Sequence, residues 1–307
     1  MPKPTQSKSR TGTHAAARAA GWNDPLRPQQ DLISGKWLLS ALGIVLGAAV
    51  ICAYATLCLL FYQGSWQLIF RPSRTVSTAP NVPYQEVQFD YTETGKPQLT
   101  GWWIPVGSNA QYSGNTILFL HDGQGSLSDT VTKLQDLHTL GINVFAFDYR
   151  GFGKSADLHP SETSLNQDAD ASLDYIIGTR HVPARSILLY GTGLGAPLAA
   201  TTTARHPETA ALILENISPN ALTLFAADAR TKILPVRLLT SDRFDATETL
   251  KILQTPKLLI DRGNSPQTHN AYSVASAPKQ FSQFAPEDGT KYLETMRHFL
   301  GEVLSHQ

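Results

Sequence analysis

The feature that most constrains the fold is a glycine-rich turn between an apolar run and a helix of small residues. Residues 186–190 read Ser-Ile-Leu-Leu-Tyr, as a buried strand does, and residues 191–195 read Gly-Thr-Gly-Leu-Gly. This layout is that of a nucleophile elbow, Gly-x-Ser-x-Gly, in which a tight strand-to-helix turn raises a serine hydroxyl above a sheet. The two backbones pass too closely for side chains at Gly191 and Gly195. The central position is Gly193, which has no side chain that can react.

Two interpretations of this turn remain open at this point: an ordinary tight turn, or a catalytic elbow that has lost its serine. The formal net charge of the 307 residues is zero, so the composition does not favour nucleic acid as a partner. The sequence has no repeats, no Cys/His cluster with metal-ligand spacing and no phosphate-binding Gly-x-x-x-x-Gly-Lys loop. We therefore expect neither a cofactor nor a metal.

An apolar run without a charged residue occupies residues 37–62. Its length as a helix exceeds the hydrocarbon core of a bilayer, which is about 30 Å thick. It is also longer than the apolar region of a cleaved signal peptide, which has about 7–15 residues. We expect one transmembrane helix at 37–62, preceded by a disordered tail at 1–36 that is rich in Ala, Ser, Pro and basic residues.

Basic residues on the two sides of this run predict its orientation. Those before it are Lys3, Lys8, Arg10, Arg18, Arg27 and Lys36, and those closely after it are Arg71 and Arg74. The excess on the N-terminal side predicts a cytoplasmic tail and an exported C-terminal domain in a single-pass membrane protein. The only cysteines, Cys52 and Cys58, both lie in the apolar run, which leaves the rest of the chain without a disulfide.

A linker at 63–83 is expected to lead to a domain at 84–307, in which strands alternate with helices. The predicted strands are a hairpin at 86–91 and 99–105, then 116–120, 143–147, 186–190, 211–214, 257–260 and 280–284. The predicted helices are 129–140, 164–177, one after the elbow, a weak one near Tyr272, and 290–304. Residues 217–253 read as irregular and short helical, a lid-like segment that is here called the variable segment. The alternation predicts an α/β fold, a mostly parallel doubly wound sheet with an N-terminal antiparallel hairpin.

Five motifs occur in the order of one known family. Residues 118–125, Leu-Phe-Leu-His-Asp-Gly-Gln-Gly, resemble a strand and oxyanion loop that usually reads His-Gly-Asn-x-Gly. The others are Asp-Tyr-Arg-Gly-Phe-Gly-Lys-Ser at 148–155, Pro-Ser-Glu at 160–162 with its continuation at 168–175, Arg-Phe-Asp at 243–245 with Thr-Pro at 255–256, and the elbow itself. Over about residues 65–305 the chain resembles the α/β-hydrolase superfamily, and within it the membrane-anchored Bem-like group. The resemblance implies the α/β-hydrolase fold and makes an ordinary turn the weaker interpretation of residues 191–195.

The resemblance also implies a catalytic triad, but its three positions are vacant. Gly193 stands at the nucleophile position. Alignment on Gly263 puts Pro266 where the acid belongs, with Ser265 beside it. The loop at 285–291, where the base belongs, contains no histidine. Gly193, Ser265 and Pro266 are therefore interpreted as a vestigial site.

The implied oxyanion loop is altered as well. Its donors are expected to be the backbone N–H of Leu194 and one from Asp122–Gly123, with His121 in the framework of the loop. Asp122 replaces a glycine and would set a carboxylate where negative charge has to be stabilised. His121, Asp122, Gly123 and Leu194 are the expected oxyanion-loop or ligand-binding residues.

The sequence therefore predicts a membrane-anchored, catalytically inactive hydrolase-fold protein that binds a small molecule or a protein. The alternative is an active hydrolase of ester or acyl substrates with relocated residues, in which Ser126 is the most reachable hydroxyl. A metal-assisted site at Asp122 and Asp261 is less favoured, because no ligand spacing supports it. Asp261 is expected to cap its strand or pair with Arg262.

Overall fold

The computed structural model describes residues 34–75 and 78–305 of the chain. The expected tail at 1–36 thus lies outside the described residues, apart from its last three. Contacts divide the chain into two units, residues 1–53 and 54–307. Helix α1 (Gly35–Gly64) continues from one unit into the other. Its most apolar window has a mean hydropathy of 2.5, so the helix is long and apolar enough to cross a membrane.

The second unit alternates strands and helices. Its strands are β1 (Arg71–Pro72), β2 (Gln85–Tyr91), β3 (Pro97–Ile104), β4 (Tyr112–Leu120), β5 (Gln124–Gly125), β6 (Ile142–Asp148), β7 (Ile187–Thr192), β8 (Ala211–Glu215), β9 (Lys257–Asp261) and β10 (Lys279–Gln283). Its α-helices are α2 (Trp66–Ile69), α3 (Val131–His138), α4 (Glu162–Gly178), α5 (Gly195–Arg205), α6 (Ala221–Ala227), α7 (Val236–Leu239), α8 (Thr247–Ile252), α9 (Pro266–Val274) and α10 (Gly289–Leu304). Short 3-10 turns lie at Leu127–Thr130, Ala184–Ser186 and Ala229–Thr231.

Eight of these strands form one sheet in the order β10-β9-β8-β7-β4-β6-β3-β2. The neighbours from β10 to β6 are parallel, whereas β3 is antiparallel to both β2 and β6. Helices cover both faces: Leu134 and Met296 pack on one, Leu173 and Ala199 on the other. Strands such as β6 are buried along their whole length for that reason. The mostly parallel, doubly wound sheet with an N-terminal antiparallel hairpin is confirmed.

The order of the strands reverses direction at β4. The chain leaves β4 for β6 on one side and then returns to β7 on the other side. The helices that follow β4 and β7 therefore pack on opposite faces, and the carboxyl ends at such a reversal are where open α/β sheets bind ligands. The elbow after β7 and the expected oxyanion loop after β4 meet at this edge.

Residues in the expected linker attach to the loop after β4. Strand β1 pairs with β5 in a small parallel sheet. The N–H of Arg71 donates to the Gly123 carbonyl oxygen at 2.9 Å, and the N–H of Ser73 donates to that of Gly125 at 2.8 Å. The chain between α1 and the domain thus has backbone partners of its own.

Candidate functional site

The turn after β7 has the geometry expected of an elbow. Gly193 has a φ of +58°, in the left-handed region that side chains rarely adopt. A Cβ at Gly195 would lie 2.2 Å from the Leu120 carbonyl oxygen, and one at Gly191 would lie 2.4 Å from the Gly195 carbonyl oxygen. These neighbours are backbone atoms held in the sheet and helix, so only glycine fits at positions 191 and 195.

The Asp122 carboxylate lies directly in front of Gly193. Its Oδ1 accepts the N–H of Gly123 at 2.7 Å and the N–H of Leu194 at 2.8 Å. A Cβ built on Gly193 would lie 2.3 Å from both Cγ and Oδ1 of Asp122. The carboxylate therefore accepts hydrogen bonds from both backbone N–H groups expected to bind an oxyanion. It also fills the space that a nucleophile side chain would need.

The start of helix α5 explains why a carboxylate is stable there. Leu194 immediately precedes the first helical residue, so its N–H has no acceptor within the helix. The N-terminus of a helix also carries partial positive charge, which stabilises an anion. The structure brings Gly193, Leu194, Gly123 and Asp122 together as one cluster.

His121 is a buried framework residue of this loop. Its Nδ1 lies 2.6 Å from the Asp122 carbonyl oxygen, which can only accept, so Nδ1 carries the proton. The ring packs on Tyr149, with centroids 4.4 Å apart. Its Nε2 is 4.0 Å from Oδ1 of Asp148. Burial lowers the pKa of His121 to about 4 and raises the pKa of Asp148 to about 6.

His121 is expected to make the protein less stable in mild acid. Its pKa is about 4 in the folded protein, against 6.5 for an unperturbed imidazole, so the unfolded chain binds the proton first as pH falls. The loss develops between these values and amounts to about 3 kcal/mol. His121→Asn should remove it. The measurement is urea unfolding of both proteins across this pH range, with the stability advantage of the wild type shrinking toward acid.

Asp148 has the opposite effect on the pH dependence of stability, in the wild type and in His121→Asn alike. Its pKa is raised to about 6, so protonation between that value and 3.8 favours the folded state. Only the difference between wild type and His121→Asn isolates the histidine. A difference in unfolding free energy that stays constant with pH would contradict the assignment.

Ser265 and Pro266 begin a helix. Ser265 caps α9: its Oγ accepts the N–H of Thr268 at 3.3 Å and donates to the Ile217 carbonyl oxygen at 3.1 Å. Pro266 is the first residue of α9, a position where proline costs no hydrogen bond. Neither residue places a carboxylate near Gly193.

Asp261 caps the end of its strand, which is one of its two expected roles, whereas the other, pairing with Arg262, is wrong. Its Oδ1 accepts the N–H of Gly263 and of Ser265, each at 3.0 Å. Its Oδ2 lies 2.9 Å from Nε2 of His269, which is on α9. The side chain of Asp261 is fully buried, whereas that of His269 is 43% exposed. His269 was not among the predicted site residues, because no motif marks a histidine in the first turn of α9, eight residues beyond Asp261.

Arg262 joins a buried ionic cluster around Glu215. Nζ of Lys133 lies 2.9 Å from Oε2 of Glu215, and Nη1 of Arg262 lies 3.5 Å from Oε1. Tyr190 Oη also donates to this carboxylate. Arg262 further donates to the carbonyl oxygen of Pro286, in the loop where a catalytic histidine would be expected. Burial lowers the pKa of Lys133, and Glu215 opposes that shift.

Ser126 is not a reachable hydroxyl, which corrects the expectation for an active enzyme. It is fully buried and precedes the 3-10 turn at Leu127–Thr130 as its cap. Its Oγ donates to the Thr75 carbonyl oxygen at 3.3 Å, and its N–H donates to Asp129 Oδ2 at 2.8 Å. Among the residues described, no group of three or more His, Cys, Asp or Glu side chains is placed to hold a metal ion.

A small polar pocket adjoins the elbow. The N–H of Ser218 donates to the Gly193 carbonyl oxygen at 3.2 Å, which fixes the start of the variable segment beside the turn. Behind it lies a pocket of about 250 Å³ lined in part by Asn220, Asp245 and Asn270. Its amide and carboxylate groups suit a small polar molecule better than an acyl chain.

Known proteins are similar to this chain over the region that contains the site. A family model described as serine aminopeptidase, S33, matches residues 113–235, which include Asp122 and Gly193. A Mycobacterium tuberculosis protein, "Uncharacterized protein Rv2307c", is 32% identical over 219 residues, which cover 67% of this chain and 76% of that protein. Protein bem46 of Schizosaccharomyces pombe is 31% identical over 158 residues, 51% of this chain and 50% of that one.

Solved structures share the fold. The esterase Pf2001 of Pyrococcus furiosus has a TM-score of 0.58 at 19% identity and covers 76% of this chain and 99% of the esterase. At that identity the likeness concerns the fold alone. Together with the sequence relatives and the elbow, it establishes that the chain belongs to the α/β-hydrolase superfamily, within its Bem-like group.

Proposed function

We propose that this chain is a membrane-anchored α/β-hydrolase-fold protein without hydrolytic activity, which binds a small molecule or a protein partner. The observation that carries the proposal is the Asp122 carboxylate on the N–H groups of Gly123 and Leu194. Acyl transfer needs such donors for the oxyanion of its tetrahedral intermediate. A negative charge on them, together with glycine at position 193, removes both the nucleophile and its electrostatic support.

Two further features support the anchoring and the binding role. Helix α1 is long and apolar enough to cross a membrane, and the basic residues before it favour a cytoplasmic tail and an exported domain. The polar pocket lined by Asn220, Asp245 and Asn270 offers hydrogen-bonding groups next to the elbow. In this proposal the pocket, or the variable segment above it, is the binding surface.

The test is covalent labelling of the full-length protein in detergent micelles. We expect no reaction with a fluorophosphonate probe and no turnover of a short-chain nitrophenyl ester, on protein shown by circular dichroism to be folded. Gly193→Ser should remain unlabelled, because Asp122 still holds the donors and the loop at 285–291 still lacks a histidine. Labelling of the wild type would contradict the proposal.

Gly193→Ser is also expected to lower the free energy of unfolding by about 1–3 kcal/mol through backbone strain at positive φ. The added Cβ would lie 2.3 Å from Cγ of Asp122. In an Asp122→Ala background, Gly193→Ser should cost less than it does in the wild type, by about 1 kcal/mol or more. The four proteins of this double-mutant cycle are compared by urea unfolding.

Gly263→Ser is the matched control for this cycle. A Cβ at Gly263 meets nothing within 4 Å, so its cost should stay within about 0.5 kcal/mol. If Gly193→Ser costs the same with and without the Asp122 side chain, the two side chains do not compete for this space.

An active hydrolase of ester or acyl bonds is the second candidate, and the Asp261–His269 pair favours it. A buried carboxylate 2.9 Å from a half-exposed imidazole has the residue types of the acid and the base of a triad. If the wild type reacts with the probe, His269→Ala should abolish labelling. His298→Ala, on the exposed face of α10 beside Glu302, should leave the labelling unchanged.

A further inference from the structure

The variable segment contacts helix α1 at two points. Oη of Tyr54 donates to the Ile233 carbonyl oxygen at 3.0 Å. The ring of Phe61 packs edge-to-face on Phe225, with centroids 5.4 Å apart. Tyr54 and Phe61 are seven residues apart and so lie on one face of the helix. The variable segment therefore follows the helix from position 61 back to position 54.

The position of Tyr54 in the apolar run sets the depth of this contact. A hydrocarbon core takes about 20 residues of helix. If a span of about 20 residues starts at residue 37, it ends at 56. If it instead ends at residue 62, it starts at 43. Tyr54 lies within the span in both cases. Because Cβ atoms tilt toward the helix N-terminus, the Tyr54 ring does not reach back toward the domain. Ile233 then lies at the level of the bilayer.

The surface chemistry of the segment suits that depth. Ile233 is 67% exposed and Leu238 is 86% exposed to solvent. Residues 229–239 contain three basic residues and no acidic one, and Lys232 and Arg237 are exposed. Exposed apolar side chains flanked by cations are the features of segments that lie in the membrane interface and attract anionic lipids.

An open groove beside these residues is also apolar. It measures about 520 Å³, and its lining includes Phe225, Leu234 and Val236. Hydration of such an apolar surface is unfavourable, and contact with acyl chains removes that surface from water. The helix contact, the exposed side chains and the groove all lie on one part of the variable segment.

We infer that residues 232–238 form a second membrane contact, which inserts into the leaflet facing the domain. Ile233 and Leu238 enter among the acyl chains, and Lys232 and Arg237 lie at the lipid phosphates. The inference rests on the anchoring proposed above. It assigns a phospholipid surface to this part of the variable segment.

The test is the depth of a nitroxide label in vesicles of phosphatidylcholine and phosphatidylglycerol. The full-length chain, with Cys52→Ser and Cys58→Ser as background, carries a single cysteine by Leu238→Cys. Ile252→Cys is the matched control, because Ile252 is also apolar and is 73% exposed, at the end of α8. Leu46→Cys, in the apolar run, reports on the anchoring itself.

The Leu238 label is expected to collide with oxygen several-fold more, relative to a water-soluble nickel chelate, than the Ile252 label does. Equal ratios at these two sites, with a high ratio at Leu46, would overturn the inference and leave the anchoring intact. A low ratio at Leu46 would overturn both. A Leu238 label shielded from oxygen and nickel alike would assign the surface to a second copy of the chain and would also overturn the inference.

Discussion

Replacement of Gly195 by alanine is expected to lower the free energy of unfolding by about 3 kcal/mol, at the upper end of the range for overpacking. The new Cβ would lie 2.2 Å from the carbonyl oxygen of Leu120 and 2.6 Å from that of His121. Both oxygens belong to the chain at the end of central strand β4, which cannot shift without breaking its pairing with β6 and β7. Relief therefore requires helix α5 to move away from the sheet.

Gly301→Ala provides the matched control, because Gly301 is also a helical glycine. Its Cβ would meet only Oη of Tyr112, at 3.9 Å, which is an ordinary contact. Gly301 lies in the last turn of α10, and this change should stabilise the protein by up to about 0.5–1 kcal/mol. The two urea midpoints should move in opposite directions, and an unchanged midpoint for Gly195→Ala would refute the close approach of helix and strand.

Loss of the Arg150 side chain is the second change with a large expected effect. Nε of Arg150 lies 2.5 Å from Oδ1 of Asp168, a fully buried carboxylate on α4. Arg150→Gln would leave that carboxylate without its cation, and breaking such a pair costs about 3–5 kcal/mol. The backbone N–H of residue 150 still donates to Asp168, at 2.8 Å, so we expect the lower end of that range.

The pH dependence of this effect has a definite sign. Burial raises the pKa of Asp168 to about 6, although Arg150 opposes the rise, so removal of Arg150 raises this pKa further. A raised folded pKa means that protonation favours the folded state, and the penalty should therefore be larger at about pH 8 than at about pH 5.5. A penalty that is equal at the two values would contradict a buried ion pair.

Arg205→Gln is the control for this pair. The Arg205–Asp170 pair is 2.6 Å long, and the two side chains are 37% and 36% exposed. Exposed pairs contribute less than about 1 kcal/mol, so the control should change the urea midpoint little at either pH.

The sequence predicts the fold well because the fold depends on patterns that are local in the chain. The continuous apolar runs at β4, β6 and β7 indicate buried parallel strands, and the two outer glycines of the elbow indicate a close crossing of strand and helix. Both kinds of signal act through backbone sterics and burial, which neighbouring residues determine. Element ends differ by only a few residues, as at β4, which begins at Tyr112 where residue 116 was predicted.

The site is less predictable, because its contacts join distant parts of the chain. The motif at residues 118–125 places Asp122 near the oxyanion donors, but only the direction of its side chain shows that it accepts their hydrogen bonds. Arg262 is adjacent in sequence to Asp261, and yet it turns to Glu215, which also holds Lys133. The carboxylate with which a cation pairs depends on the packing of distant segments, which a short motif does not reveal.

The pairing of β1 with β5 has a mechanical consequence. In an anchored chain, the segment leaving α1 is a stem, because the N–H groups of Arg71 and Ser73 tie it to the carbonyl oxygens of Gly123 and Gly125. An apolar helix longer than the bilayer core accommodates the mismatch by tilting. If the chain is anchored as proposed above, these two hydrogen bonds connect a tilt of α1 to the loop that carries Asp122.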